Sequence, residues 1–466
     1  MKYYSTRDTT KEFGFEETLL HGLAHDGGLY LPKEWPSLDN TQINRLKNKP
    51  YTHVAASLMK SYAYPEISED EIARLVHATY SPHFFKHPAI APLIQIDSDL
   101  WIMELFHGPT LAFKDYALQL LGNLFDYTLE KRKERVTIVG ATSGDTGSAA
   151  IEACAGSKNI DIFILHPKGR TSEVQRKQMT TVDSPNVHNI ALEGTFDDCQ
   201  AAVKELFADA QFRQDMNLSA VNSINWARIC SQIVYYVYGS LALGTPEKPV
   251  SFAVPTGNFG NVFAAYCARK MGLPIDKLII GTNDNDILTR FFETGKMQKG
   301  KVVPTISPSM DIQISSNFER YLFELNGKNP DALIGLMQEF KTKGSFSVSE
   351  DMRAQAQKDF TAHRCNTEET LKTIEKVYDS TGYILDPHTA VGVHAAMQEK
   401  ENSKSPVIAL ACAHPAKFPD AVKKAIGKTA EVPERLERVM SMPEFMTPMS
   451  PDIAKLKSFI RQHVKR

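Results

Sequence analysis

The chain has 466 residues, 42% hydrophobic and 23% charged, with a formal net charge of −2 at pH 7. That length can bury a large core and divide into about two or three domains, and the near-neutral balance argues against nucleic acid or an anionic membrane as the main partner. The six cysteines, Cys154, Cys199, Cys230, Cys267, Cys365 and Cys412, show no Cys-x-x-Cys spacing, so neither a metal site nor a disulfide framework is indicated and a reducing compartment fits.

The opening residues carry charge at Lys2, Arg7 and Asp8, where a secretory signal would place its apolar stretch. The longest apolar run, around residues 233–243, is too short to span a bilayer. A cytoplasmic protein is expected. Residues 1–95 combine amphipathic helical stretches, such as 69–80, with proline-broken loops and few strong strands, and read as a small separate domain without a catalytic constellation.

From residue 100 the pattern changes. A strand-like run over 100–106 gives way to His107-Gly108-Pro109-Thr110-Leu111-Ala112-Phe113-Lys114-Asp115-Tyr116. Pro109 and Thr110 can start a helix, which places Lys114 in its first turns at the positive end of the dipole. A surface lysine that happens to precede Asp115 is the competing reading, but the aromatic and apolar frame favours a desolvated amine. Desolvation lowers a lysine's pKa, as an amine that attacks an aldehyde requires, and a Schiff base with pyridoxal phosphate is the obvious use.

The next junction repeats the grammar of strand, small-residue turn and helix: a strand over 136–140, then Ala141-Thr142-Ser143-Gly144-Asp145-Thr146-Gly147, then a helix over 148–155. Hydroxyls and open amides at a helix start suit a carboxylate, although an ordinary capped turn has the same composition. Strands are expected at 160–165 and 187–192, and a buried helix carries Arg228. A third junction follows a strand over 251–255. Thr256-Gly257-Asn258-Phe259-Gly260-Asn261 leads into a helix over 262–271, with glycines that let backbone amides approach a phosphate. This loop is neither a Walker loop nor a dinucleotide fingerprint. Further strands fall at 278–281 and 407–411, residues 307–378 turn helical and polar like an insertion, and the stretch after 433 reads as a tail packed on the surface. The alternation implies an α/β fold of doubly wound, mainly parallel sheets with ligands at the strands' carboxyl ends, in a core over 96–432.

Several of these stretches together resemble the threonine synthase family. They are the motif around Lys114, Thr142 to Gly147, Asn222-Ser223-Ile224-Asn225-Trp226-Ala227-Arg228, Pro255 to Asn261 and Ala413-His414-Pro415-Ala416-Lys417-Phe418, joined by Tyr4-Ser5-Thr6-Arg7 and Gly27 to Pro32. The likeness runs to about Phe418 and carries motifs of the longer bacterial and fungal type. It implies the two-lobed fold type II of pyridoxal-phosphate enzymes, like the tryptophan synthase β chain, and conversion of O-phosphohomoserine and water to threonine and phosphate. A monomer or small homo-oligomer is expected.

Residue by residue, the resemblance implies Lys114 as the cofactor's anchor and the catalytic base. Gly257, Asn258, Phe259, Gly260 and Asn261 would hold the cofactor phosphate, and Cys412 would face its ring nitrogen, where the family usually has threonine. Ser143, Gly144, Asp145 and Thr146 would meet the substrate carboxylate, although related enzymes of the fold often carry asparagine at Asp145, so this acid must be protonated, turned away or bonded to a cation or hydroxyl. Asn225 and Arg228 would serve the substrate. Arg228 ranks first for the substrate phosphate, ahead of Lys168, Arg170 and Lys417. His21, His25, His107 and His388 read as packing or loop residues, and no metal is expected. The alternatives are a phospholyase that releases a keto acid and an inactive ligand-binding relative.

Overall fold

Near-continuous apolar runs build two sheets whose central strands are buried on both faces, as parallel sheets require. In the computed structural model, which describes residues 1–142, 144–219, 223–400 and 403–465, six strands lie in the order Thr361–Arg364, Ile275–Thr282, Val250–Pro255, Val407–Ala411, Leu100–Glu104, Leu93–Asp97. All pairs are parallel except the last, which is antiparallel. The second sheet runs Thr447–Met449, Val187–Leu192, Ile160–Pro167, Val136–Ala141, Leu218–Ser219, and its pairs are all parallel. The two mainly parallel sheets are those the strand rhythm implied. Among the described residues no helix is long and apolar enough to cross a membrane.

Helix Lys114–Arg132 is buried along most of its length and packs on both Asp145–Cys154 and Trp226–Ala242. A glycine permits the first contact, since a Cβ at Gly122 would stand 2.3 Å from the carbonyl oxygen of Ala153. Helix Trp226–Ala242 is in turn enclosed by the N-terminal residues. The buried Trp226 ring lies 6.3 Å from Tyr3, 6.1 Å from Trp35 and 5.8 Å from Tyr62. Residues 1–80 therefore share a core with the helix that bears Arg228. They also steady the region behind the glycine loop, because Arg7 donates to both carboxylate oxygens of Glu319 at 3.0 and 2.7 Å, and Arg320 donates to the Tyr30 carbonyl at 3.0 Å.

Among the strands that escaped the sequence pattern are two that are short and sit at sheet edges. Thr361–Arg364 lies inside the polar, helical stretch and is only half-buried. Thr447–Met449 pairs with Val187–Leu192, and the following helix Ile453–His463 sinks Leu456 and Ile460 into the core of that lobe.

Candidate active site

Three strand ends converge on Lys114. It is the first residue of its helix, with Phe113 as a cap that uses no side chain, so Pro109 and Thr110 precede the helix instead of opening it. The approach is bent by Leu111, whose φ of 58° is uncommon for a branched residue, and is pinned to the strand end beyond Ala411. Phe113 N–H donates to the Cys412 carbonyl at 2.8 Å, and His414 N–H to the Leu111 carbonyl at 3.0 Å. Asp115 closes the turn by accepting from the Thr110 amide at 2.8 Å and its hydroxyl at 2.7 Å. Burial pushes the Asp115 carboxyl up to about 6.

Lys114 is 8% exposed, and its Nζ lies 3.6 Å from Asp145 Oδ2. Burial lowers its pKa; Asp145 opposes that shift, while Arg228 and Lys417 add to it. The desolvated amine anticipated from the motif is thus present, beside a carboxylate.

Asp145 begins helix Asp145–Cys154 and answers the question its position posed. It is ionised and paired: Lys417 Nζ donates to Oδ1 at 2.6 Å, and Lys114 stands at Oδ2. Burial alone would raise its pKa, but Lys417 and Lys114 hold it well below the usual carboxylate range. Lys417, fully buried, also donates to the Thr110 carbonyl at 2.7 Å, so its charge serves this cluster. In the same turn the amides of Asp145 and Thr146 meet no acceptor among the described residues. Ser143 lies outside the described residues. Gly144 N–H donates to Thr142 Oγ1 at 3.2 Å.

The glycine loop joins strand Val250–Pro255 to helix Gly260–Lys270. Residues 310–317 brace it from behind: Ser315 Oγ donates to the Gly257 carbonyl at 2.8 Å, and Asn317 N–H to the Asn258 carbonyl at 3.1 Å. A Cβ at Gly257 would come within 3.1 Å of Ile312, so this glycine admits the brace as well as a ligand. Phe259 takes a φ of 64° and sends its ring into Phe318, Phe360 and Tyr321, and burial of that ring offsets the backbone strain. The N–H groups of residues 257–261 have no acceptor among the described residues. A row of open amides at a helix start is what a phosphate monoester requires, so the loop fits pyridoxal phosphate.

Two asparagines have side chains held by partners within the protein. Asn261 Oδ1 accepts from Tyr235 at 2.5 Å and Tyr236 at 2.7 Å, and its Nδ2 points to Cys412 Sγ at 4.0 Å. Its side chain is therefore turned away from the phosphate loop toward the buried thiol, whose pKa burial raises. Asn225 caps helix Trp226–Ala242 by accepting from Ala227 N–H at 2.9 Å, and donates to the Leu19 carbonyl at 2.8 Å. Both polar ends of Asn225 are thus used in holding the helix that carries Arg228. Arg228 is 4% exposed, and burial lowers its pKa to about 10.

Lys168 pairs with Glu193 at 3.4 Å in an exposed position, and Arg170 is exposed too. His107 pairs with Glu104 at 2.8 Å, and the rings of His21 and His25 stack edge to face at 4.9 Å. His388 differs, because its Nδ1 meets Asp386 at 2.9 Å and its Nε2 accepts from Ser309 N–H at 3.2 Å. Gln175 Nε2 and Ser309 Oγ each stand 3.4 Å from an Asp145 carboxylate oxygen, and no local signal marked either residue as its neighbour.

Residues 2–80 match the model of the threonine synthase N terminus, 83–340 that of pyridoxal-phosphate dependent enzymes, and 389–460 that of the threonine synthase C-terminal region. The chain is 49% identical to a threonine synthase of Pseudomonas aeruginosa, over 100% of this chain and 99% of that one. It is 46% identical to that of Schizosaccharomyces pombe, over 92% and 90%. The crystal structure of a threonine synthase from Brucella melitensis with pyridoxal phosphate bound superposes with a TM-score of 0.98 at 50% identity, covering all of both chains.

Proposed function

Since the chain belongs to the threonine synthase family, we infer from its geometry how these residues carry the family's reaction, in which O-phosphohomoserine and water give threonine and phosphate. In that balance the Cγ–O bond breaks with phosphate leaving, and a carbon–oxygen bond to water forms at Cβ. The observation that carries the reading is the buried Lys114 amine 3.6 Å from an ionised Asp145.

When bound, pyridoxal phosphate supplies the electron sink that makes the substrate's carbon-bound protons removable. Lys114 would hold it through its amine, the amides of Gly257, Asn258, Phe259, Gly260 and Asn261 would hold its phosphate, and Cys412 would face its ring nitrogen. A thiol is a weaker hydrogen-bonding partner than a hydroxyl. Asn261 Nδ2, aimed at that thiol, limits where Sγ can sit.

Once released, the Lys114 amine moves protons at the substrate's Cα and beyond, and its lowered basicity leaves more of it neutral near pH 7. Asp145 keeps that amine oriented. Because its carboxylate is spent on Lys114 and Lys417, Asp145 meets the substrate carboxylate only through its backbone amide, together with Gly144, Thr146 and Ser143. Arg228 takes the substrate phosphate, with Asn225 fixing the start of its helix. Arg228→Ala lowers kcat/KM for phosphohomoserine by about ten- to a hundredfold, the worth of one charge-assisted contact. Unchanged KM and kcat would remove Arg228 from this role.

The test of the whole reading is to incubate the purified protein with phosphohomoserine and assay threonine and phosphate together. Equal yields are expected. Phosphate with a keto acid in place of threonine would mean a phospholyase. We place the reaction in the cytoplasm, in a monomer or small homo-oligomer without nucleic-acid or membrane partners, and the six buried, unpaired thiols and the net charge of −2 support that placement.

A further inference from the structure

We propose that His388, held by Asp386, is a positioning residue that sets Ser309 against Asp145 and so governs how tightly segment Pro308–Met310 closes over the working amine. Asp386 caps helix Pro387–Glu399 by accepting from the His388 and Thr389 amides at 2.9 and 3.2 Å. The same carboxylate meets His388 Nδ1 at 2.9 Å. On the far side of the ring Nε2 lies 3.2 Å from Ser309 N–H. An amide can only donate, so Nε2 is the acceptor and the ring proton sits on Nδ1, toward Asp386. Ser309 Oγ then stands 3.4 Å from Asp145 Oδ2, the oxygen that faces Lys114. This is long for a hydroxyl and a carboxylate, and contacts of this kind tighten when ligand arrives.

The rest of the segment is anchored independently, which leaves His388 to set its inner edge. Asp311 accepts from Asn283 Nδ2 at 2.7 Å and from the Thr305 amide at 2.8 Å, and Met310 is buried beside Cys365 and Val391. Pro308 is exposed and Ser309 only partly covered, so these residues form a lip between solvent and the Asp145–Lys114 pair. Asp386 also accepts from Thr389 Oγ1, and that hydroxyl oxygen takes the Cys412 amide at 3.1 Å. One buried carboxylate thereby ties the lip over Lys114 to the strand end that bears the thiol. Packing of the ring on Phe418 at 4.8 Å does not explain this donor and acceptor pattern.

The proposal rests on Lys114 as the working amine, and its first readout is independent of that reading. In the apoprotein, His388→Asn keeps a donor for Asp386 but removes the acceptor of Ser309 N–H, so hydrogen exchange at the Ser309 amide rises about tenfold. His388→Gln, which returns an oxygen near the place of Nε2, restores most of the protection. In the holoenzyme, His388→Asn and Ser309→Ala each lower kcat by about tenfold with KM changed less than twofold, and His388→Gln recovers most of kcat. Ser309→Ala covers the case in which a histidine variant folds poorly. Unchanged exchange in His388→Asn, or equal damage from Asn and Gln, would overturn the proposal, and so would full kcat in Ser309→Ala. Failure of the wild type to form threonine would instead overturn the functional reading, leaving the exchange result standing.

Discussion

Lys114→Ala abolishes threonine formation, with turnover falling by a factor on the order of 10⁴ or more, about 5 kcal/mol of transition-state stabilisation. The amine cannot be replaced from nearby. Lys417 is committed to Asp145 at 2.6 Å and the Thr110 carbonyl at 2.7 Å, and Arg228 carries a guanidinium that neither forms the covalent link nor accepts a proton near neutrality. The fold survives, because Asp145 keeps Lys417 as its partner and removal of a desolvated amine relieves a burial cost. Intact thermal unfolding, loss of the cofactor's visible absorbance band and absence of both products are expected together. Wild-type turnover in the variant would exclude Lys114 as the base.

Lys417→Met damages both stability and rate. Asp145 would keep a single cation, Lys114 at 3.6 Å, with only the long contacts of Gln175 and Ser309 at 3.4 Å beside it, and the Thr110 carbonyl would lose a buried donor. Breaking a buried pair from one side costs about 3–5 kcal/mol. The sign of the pH dependence follows from Asp145, whose pKa is depressed in the folded protein. Its contribution is fully present above the unfolded value, about 3.9, and fades as pH falls below that value toward the folded one. The gap in unfolding free energy between wild type and Lys417→Met is therefore largest near neutrality and shrinks below about pH 4.

Catalysis shifts in the opposite sense on the pH axis. Loss of a neighbouring cation and fuller exposure to the Asp145 charge both raise the Lys114 pKa, so the acid limb of the kcat profile moves to higher pH. Asp145→Asn added to Lys417→Met removes the stranded charge and recovers most of the stability, but not the rate. A double variant as unstable as the single one would mean that the ion pair is not the cause.

The parts legible from sequence were those with local causes. A lysine in an apolar frame after a strand, and two turns of small residues between strand and helix, are short-range patterns, and all three lie at the carboxyl ends of parallel strands. The strand at residues 187–192 was readable because a run buried on both faces has a period and composition of its own. Thr361–Arg364 was not, since a half-buried edge strand of four residues has neither.

The side-chain assignments were less legible. Asn225 and Asn261 suit ligand binding by residue type, but one is a helix cap and the other is taken by Tyr235 and Tyr236. His388 read as packing because its partner at the lip, Ser309, is 79 residues away in the chain.

By itself the sequence determined the class of fold, the family and the candidate amine, because apolar periodicity, turn chemistry and motif order are written along the chain. The tertiary structure alone decided the state of that amine's surroundings. Asp145 and Lys417 are 272 residues apart, and whether such a carboxylate is neutral, averted or paired depends on which charges the fold brings to it and how much water it removes. Electrostatic energy varies with distance and burial, and neither quantity exists until the two lobes have closed on Lys114.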